Sequence, residues 1–479
     1  MSDPVVLPFW LCVLILLFAG ASFLSHFLFP SVRWFFRRRM ERAVDELNKR
    51  LERPIHPFRL VRRQDHVTRL VYDPQVMEAV AAHARDTGVP RSVAFEKARN
   101  YAREIVPGFS TATYFGFAIR VARRLSRMFY SVHLGQEGDQ SLRAIDPRSA
   151  VVFVMNHRSN MDYVLVTWLA ADRSALSYAV GEWARVWPLK ALIRAMGAYF
   201  IRRRYSSPLY RAVLARYVQM SVEEGVTQAM FPEGGLSLTG AVGPARKGLL
   251  HYIVRDFSPS REKDVVFVPV ALNYDRVLED RVLVQAGLSG TRRFRVRLTT
   301  AAGWLGRLIW QKLRGRFRPF GHAAVCYGEP VSLRAFLQED PEASTERLAD
   351  LLMERIRAAV PLLPVPLAAA ALVRSGGEAG IDTLRAAADS FLSEARQRGA
   401  WMHLPGAAEG SATAALDEGL AALILRGLVR RDGDSLRIVA GNEAVVGFYA
   451  ASALQRLSEP VPVPVRTGIA TLLPEVGET

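Results

Sequence analysis

Cysteine is scarce in this chain, with only Cys12 and Cys326 among 479 residues. Cys12 sits inside an apolar run, so no disulfide framework is on offer and the bulk of the chain suits a reducing compartment. Neither cysteine has a neighbour at ligand spacing and the nine histidines are scattered, so the sequence presents no metal site. It also lacks a Walker loop and a dinucleotide fingerprint, which removes the commonest nucleotide-binding readings. Internal repeats and long low-complexity segments are missing as well, and with them the array folds. Acidic residues are the scarcer charge: 46 Asp and Glu stand against 63 Lys and Arg, a formal net charge of +17. That balance favours anionic partners, whether nucleic acid, anionic lipid headgroups or phosphorylated small molecules.

Charged residues are absent altogether from Pro4 to Val32, where Trp10, Leu11 and Phe27 to Phe29 are among the apolar bulk. The length suits a bilayer span. Met1-Ser2-Asp3 gives no basic leader, while Arg33, Arg37, Arg38 and Arg39 follow the run directly. The expectation is therefore one N-terminal transmembrane helix, residues 1–32, with the body of the protein on the cytoplasmic side. A buried core helix is the competing reading, and the flanking arginines argue against it.

Half of the residues are hydrophobic, enough for a large core and two or three units. Residues 33–130 read as a helical N-terminal region that begins as a basic stretch beside the headgroups and contains helices over Gln75 to Asp86 and Ser92 to Ile105. From 131 to 335 short β-branched runs alternate with helical patterns, as a layered α/β domain requires. Val151 to Met155, Gln228 to Pro232 and Val265 to Ala271 read as buried strands with polar residues gathered where they stop, the usual place for a site in such a sheet. Residues 336–479 read as mainly helical, with helices over Asp382 to Arg398 and Thr413 to Leu428 and a turn at Gly433-Asp434. Within this region Val360 to Leu372 reads as a Pro-rich apolar connector able to touch a membrane.

The most informative string runs from Asn156 to Tyr163. It sets His157 and Asp162 five positions apart just after a strand, so that the carboxylate accepts the imidazole Nδ1–H and leaves Nε2 to take a proton from a hydroxyl. Alone this spacing is weak, and a surface turn is the bland alternative. Its company makes it stronger: Gly197 to Arg204, Phe231 to Gly235 and Val268-Pro269-Val270 follow in order. Those four blocks resemble the glycerolipid acyltransferase superfamily, and the likeness is nearest to its membrane-bound glycerol-3-phosphate 1-O-acyltransferases. His157-Arg158-Ser159, Met161-Asp162-Tyr163, Phe200 to Arg203, Glu233 to Gly235 and Gly447-Phe448-Tyr449 carry it, strongly from about Ala150 to Asp275 and weakly beyond.

The resemblance implies an α/β acyltransferase catalytic domain that needs no cofactor, with acyl-CoA or acyl-carrier protein as co-substrate. It implies His157 as general base and Asp162 as its orienter, acting without a covalent enzyme intermediate because a thioester already carries a good leaving group. Ser159 then reads as a turn or capping residue, with a nucleophile as the weaker alternative. Arg202 falls at the position associated with the acceptor's phosphate, and a guanidinium fork suits it. Glu233, Gly234 and Gly235 match the block in which a carboxylate holds acceptor hydroxyls and glycines permit close approach. Lys247 resembles the family's basic continuation, with Arg246 beside it. One departure is plain: Leu236 and Leu238 stand where that group carries two arginines.

The resulting expectation is acyl transfer to glycerol 3-phosphate in membrane phospholipid synthesis, with membrane lipids, an acyl thioester and a glycerol-phosphate-like acceptor as partners. Lysophosphatidate or a non-phosphorylated lipid acceptor is the alternative that the leucines keep open. A membrane-tethered lipid-binding protein without activity is another. Basic clusters at Arg292 to Arg297 and Arg314 to Arg318 would serve nucleic acid, but beside an N-terminal span a lipid-facing surface is the better reading.

Overall fold

The computed structural model describes residues 57–135, 142–169, 176–181, 189–202, 207–260, 263–290, 317–399 and 412–457, with a few single positions between them. These residues, from 57 onward, belong to one compact unit. After a single helical turn at Pro57–Leu60, three helices follow: α1 (Arg63–Val71), α2 (Pro74–Thr87) and α3 (Arg91–Ile105). The Asp73 side chain accepts the Gln75 N–H at the start of α2, with Pro74 in the first turn where its missing N–H costs nothing. A π-helical stretch, Ala112–Ala118, leads into α4 (Ile119–Phe129).

The sheet comes next. In chain order it comprises β1 (Ser131–Leu134), β2 (Ala150–Met155), α5 (Met161–Leu169), β3 (Ser177–Val180), α6 (Leu189–Ala195), β4 (Tyr199–Phe200), α7 (Pro208–Glu223), β5 (Gln228–Met230), α8 (Gly248–Val254), β6 (Val265–Tyr274), α9 (Asp280–Ser289), β7 (His322–Tyr327) and β8 (Val331–Ser332). Its order is β1-β7-β6-β2-β5-β3-β4, with β8 added against β6. The strands from β6 through β4 run parallel, whereas β7 is antiparallel to β6. Every residue of β2 is buried, as a central parallel strand covered on both faces demands.

Strand periodicity then sorts the core. Val151, Phe153 and Met155 point to one face, Ala150, Val152 and Val154 to the other. The second face is covered by α1, α2, α3, α7 and the later helices α10 (Leu333–Glu339) and α11 (Thr345–Ala359). The first is covered by α5, α9 and a C-terminal group: α12 (Pro364–Arg374), β9 (Glu378–Gly380), α13 (Ile381–Gln397), α14 (Thr413–Leu425), β10 (Val429–Asp432), β11 (Ser435–Ile438) and α15 (Glu443–Leu454). The β9, β10 and β11 strands form a separate small antiparallel sheet. An α/β layered domain with helical flanks is thus present.

Two expectations are corrected. Among the described residues no helix is long and apolar enough to cross a membrane. The two most uniformly buried apolar helices, α12 and α15, have only 11 and 12 residues, against about 20 for a span, and they face the protein core instead. The single N-terminal transmembrane helix and the localisation built on it are therefore not borne out, and the run from 4 to 32 on which they rested lies outside the described residues apart from Pro8 and Trp10. The segment read as a membrane-touching connector, Val360 to Leu372, is mostly the helix α12. Its prolines sit in the first turn, where they start a helix rather than prevent one, and its residues from Pro364 to Leu372 are buried. The basic runs Arg203-Arg204 and Arg292 to Arg297 also lie outside the described residues.

Candidate active site

Strand register assembles the site. Val154 pairs with Met230 across the parallel β2 and β5. His157 lies three residues past Val154 and Glu233 three past Met230, so both leave the sheet at the same level and on adjacent strands. The His157 backbone N–H accordingly donates to Glu233 Oε1 at 2.8 Å, and the Gly243 N–H donates to Oε2 at 3.0 Å. On the other side of β2, Asn156 clasps β6: its Nδ2 donates to the Leu272 carbonyl at 3.0 Å and its Oδ1 accepts the Leu272 N–H at 2.8 Å.

The turn after His157 folds back so that Asp162, in the first turn of α5, meets the imidazole. His157 Nδ1 is 2.8 Å from Asp162 Oδ2, and the two side chains are 4% and 0% exposed. The same oxygen accepts the backbone N–H groups of Arg158 at 2.7 Å and Ser159 at 3.0 Å. Its partner Oδ1 accepts the hydroxyl of Tyr274 at 2.6 Å. Burial, then the Asp162 charge, push the Tyr274 phenol well above its ordinary pKa, so it stays a donor. A carboxylate acceptor places the ring proton on Nδ1. Nε2 is left without a hydrogen-bond partner among the described residues. The ring stacks on Phe231 at 4.2 Å and meets Tyr163 edge-on at 5.4 Å, which fixes its plane.

Ser159 Oγ accepts the Met161 N–H at 3.2 Å and donates to Glu279 Oε2 at 2.8 Å. It makes no hydrogen bond to His157 Nε2, and its hydrogen bonds are those of a capping residue. Arg158 is buried, bonds the Gly240 carbonyl and stands 4.8 Å over the Phe448 ring, linking the turn after His157 to α15. Its Nε and Nη2 are buried without a hydrogen-bond partner, and burial lowers its pKa against the pull of Tyr449, Asp162 and Glu233.

The remaining residues singled out by sequence fall in different places. Glu233 is buried, and both its oxygens go to backbone N–H groups, so it braces the loop rather than reaching outward; burial raises its pKa. Gly234 adopts φ +69°, and a Cβ there would lie 2.5 Å from Arg246 Cδ, so the glycine lets the Arg246 side chain pass over the turn. Gly235 follows in the same bend, partly exposed. Arg202 follows β4, an outer strand three places from β2. Its Nε and Nη2 engage Glu104 at 2.9 and 2.6 Å between Tyr101 and Tyr210, and that bond raises its pKa. Lys247 pairs with Glu346 at 2.8 Å on the surface, both about half exposed. Leu236 and Leu238 pack against the core, and the Leu238 carbonyl lies 3.2 Å from where a Cβ on Gly287 of α9 would be.

Sequence reasoning missed Tyr274 and Glu279. Both follow the apolar run of β6, and the gathering of polar residues at a strand's end, already informative at His157 and Glu233, was also present in Asn273-Tyr274-Asp275.

A family model described as Acyltransferase matches residues 136–273, and one described as Glycerol-3-phosphate acyltransferase C-terminal region matches residues 305–452. Among curated relatives, the glycerol-3-phosphate acyltransferase of Pseudomonas entomophila is 29% identical over 332 residues, 65% of this chain and 39% of that protein. Those of Aeromonas hydrophila and Ectopseudomonas mendocina are 27% and 30% identical, covering 67% and 65% of this chain and 41% and 39% of theirs. The chain thus spans about two fifths of the length of the curated relatives it matches. A solved structure, the 1-acyl-sn-glycerophosphate acyltransferase of Thermotoga maritima, superposes with a TM-score of 0.31 at 22% identity, over 50% of this chain and 76% of that one. The chain belongs to the glycerolipid acyltransferase family and is related to the bacterial glycerol-3-phosphate acyltransferases.

Proposed function

We propose that this protein transfers a fatty acyl group from a thioester, acyl-CoA or acyl-carrier protein, to the hydroxyl of glycerol 3-phosphate, with His157 as general base. The observation that carries this reading is the buried His157–Asp162 pair at 2.8 Å with Nε2 uncommitted. In the reaction Nε2 takes the acceptor's hydroxyl proton as its oxygen attacks the thioester carbon. The C–S bond then breaks and the thiolate leaves, to be protonated by the imidazolium. Asp162 stabilises that imidazolium, and Tyr274, Arg158 N and Ser159 N hold the carboxylate still. Names of the relatives support glycerol 3-phosphate as acceptor.

A second reading, transfer to lysophosphatidate or to a phosphate-free lipid alcohol, draws on Leu236 and Leu238, which pack into the core in place of charges. The test is purified protein with labelled acyl-CoA presented to glycerol 3-phosphate, lysophosphatidate and phosphate-free acceptors. Turnover of glycerol 3-phosphate, falling about 100-fold or more in His157→Ala, is the expected result. Turnover of phosphate-free acceptors alone would favour the second reading, and undiminished transfer by His157→Ala would remove the base from its role.

A further inference from the structure

Beyond Tyr274 the chain leaves β6 at the sheet edge where His157 leaves β2, because the two strands are parallel and adjacent. Between this connection and the end of α14 lies a cavity of about 380 Å³. One of its walls is Glu279, whose carboxylate accepts Ser159 Oγ at 2.8 Å and the N–H and Nδ2 of Asn160 at 3.3 and 3.0 Å. The cavity therefore backs onto the turn that carries His157 and Asp162.

Three guanidiniums line it, those of Arg276, Arg281 and Arg426, against the carboxylates of Glu279 and Asp280. Both carboxylates are already engaged. Glu279 is held by Ser159 and Asn160, while Asp280 Oδ2 bonds Arg426 and accepts the Tyr449 hydroxyl at 2.6 Å, and its Oδ1 accepts the Arg281 backbone N–H at 2.7 Å. Arg276 is half-buried, with Cζ 4.4 Å from the centre of the Phe320 ring, and its N–H groups meet no hydrogen-bond acceptor among the described residues. Arg281 is exposed and its side chain likewise meets none. Burial first, and then the neighbouring Arg426, hold the Arg276 pKa below its ordinary value. The Asp280 charge offsets part of this, but the oxygens of Asp280 and Glu279 already hold other donors, which leaves the guanidinium N–H groups of Arg276 and Arg281 for a further acceptor.

We propose that this cavity binds a phosphoryl group of one of the two substrates, with Arg276 and Arg281 as its donors. The inference rests on the acyl-transfer reading and supplies what Leu236 and Leu238 withhold. Those leucines turn toward the core and α9, whereas Arg281 stands near the start of that same helix. Guanidinium forks suit phosphate oxygens, and the exposed Val282 and Leu425 at the cavity suit a phosphate attached to carbon. The phosphoryl group belongs either to the acceptor or to the nucleotide of an acyl-CoA.

The full-length protein and its Arg276→Gln, Arg281→Gln and Arg276→Lys variants would be titrated with glycerol 3-phosphate and with inorganic phosphate by calorimetry. Steady-state kinetics would then be run with glycerol 3-phosphate against glycerol, and with acyl-CoA against acyl-pantetheine. Arg281→Gln alters a surface residue and so keeps the test open if Arg276→Gln fails to fold. The expected result is a 10- to 100-fold rise in one KM with kcat within about threefold, partly restored by Arg276→Lys. A rise in the glycerol 3-phosphate KM together with weaker glycerol 3-phosphate binding assigns the group to the acceptor. A rise confined to acyl-CoA and absent with acyl-pantetheine assigns it to the donor. Unchanged KM values and unchanged binding in both glutamine variants would overturn the proposal. If the wild-type protein transfers no acyl group, the acyl-transfer reading fails by itself, and the phosphate titrations still decide whether the cavity takes an anion.

Discussion

Asp162 carries four hydrogen bonds at full burial, from His157 Nδ1, two backbone N–H groups and the Tyr274 hydroxyl. Replacing it with Asn puts an amide where an acceptor is required, so the ring loses its fixed tautomer. The expected outcome for Asp162→Asn is a fall in kcat of about 100- to 10,000-fold, read by steady-state kinetics on protein that still unfolds cooperatively. Tyr274→Phe tests a gentler point. It leaves Asp162 Oδ1 without its donor, which should cost about 1–3 kcal/mol in urea unfolding and lower kcat by roughly tenfold or less. Full activity and unchanged stability would mean that the hydroxyl does not hold the carboxylate. The pairing of His157 with Asp162 was readable from the sequence because it is local, a matter of five positions and a turn. Tyr274 was not, since its bond spans 112 positions and depends on which strands become neighbours.

Elements were legible to the extent that their periodicity was undisturbed. The continuous apolar runs of β2 and β6 announced buried strands, and α2, α3 and α13 fell within a residue or two of their expected limits. The segment that forms α12 reads as a connector because prolines punctuate most chains, and only its buried setting shows that these stand in a first turn. Its alanines matter for a related reason: small side chains let α14 and α15 come close on either side. Gly419 of α14 faces the start of α12, and a Cβ there would meet the Pro364 carbonyl and lie 2.8 Å from Ala368 Cβ. Gly419→Ala should therefore cost about 1–3 kcal/mol despite its better helix propensity, measured as a lowered midpoint in chemical denaturation. A stabilised variant would show that the two helices have room to spare.

The C-terminal helices share one core with the sheet, and a buried carboxylate sits at that junction. Asp275 accepts the His322 N–H at 2.8 Å and the Val365 N–H at 2.9 Å, and burial pushes its pKa up to about 6 despite those bonds. Unfolded, the group titrates near 4. A raised folded pKa means stability that is complete below about pH 4 and lost as pH rises through about 6. The stability difference between wild type and Asp275→Asn, which cannot titrate there, should therefore shift against the wild type from about pH 4 to about pH 7. A difference that stays constant across this window would show that Asp275 ionises normally. Across the whole molecule, the pairing of β2 with β5 has a consequence of another kind. His157 and Glu233 are counted off from one rung, so their placement at one level depends on the length of chain between that rung and each residue. One residue inserted between Met155 and His157 would carry the imidazole about 3.3 Å onward and turn it away from Asp162, which on the proposed mechanism should abolish acyl transfer with both side chains still present.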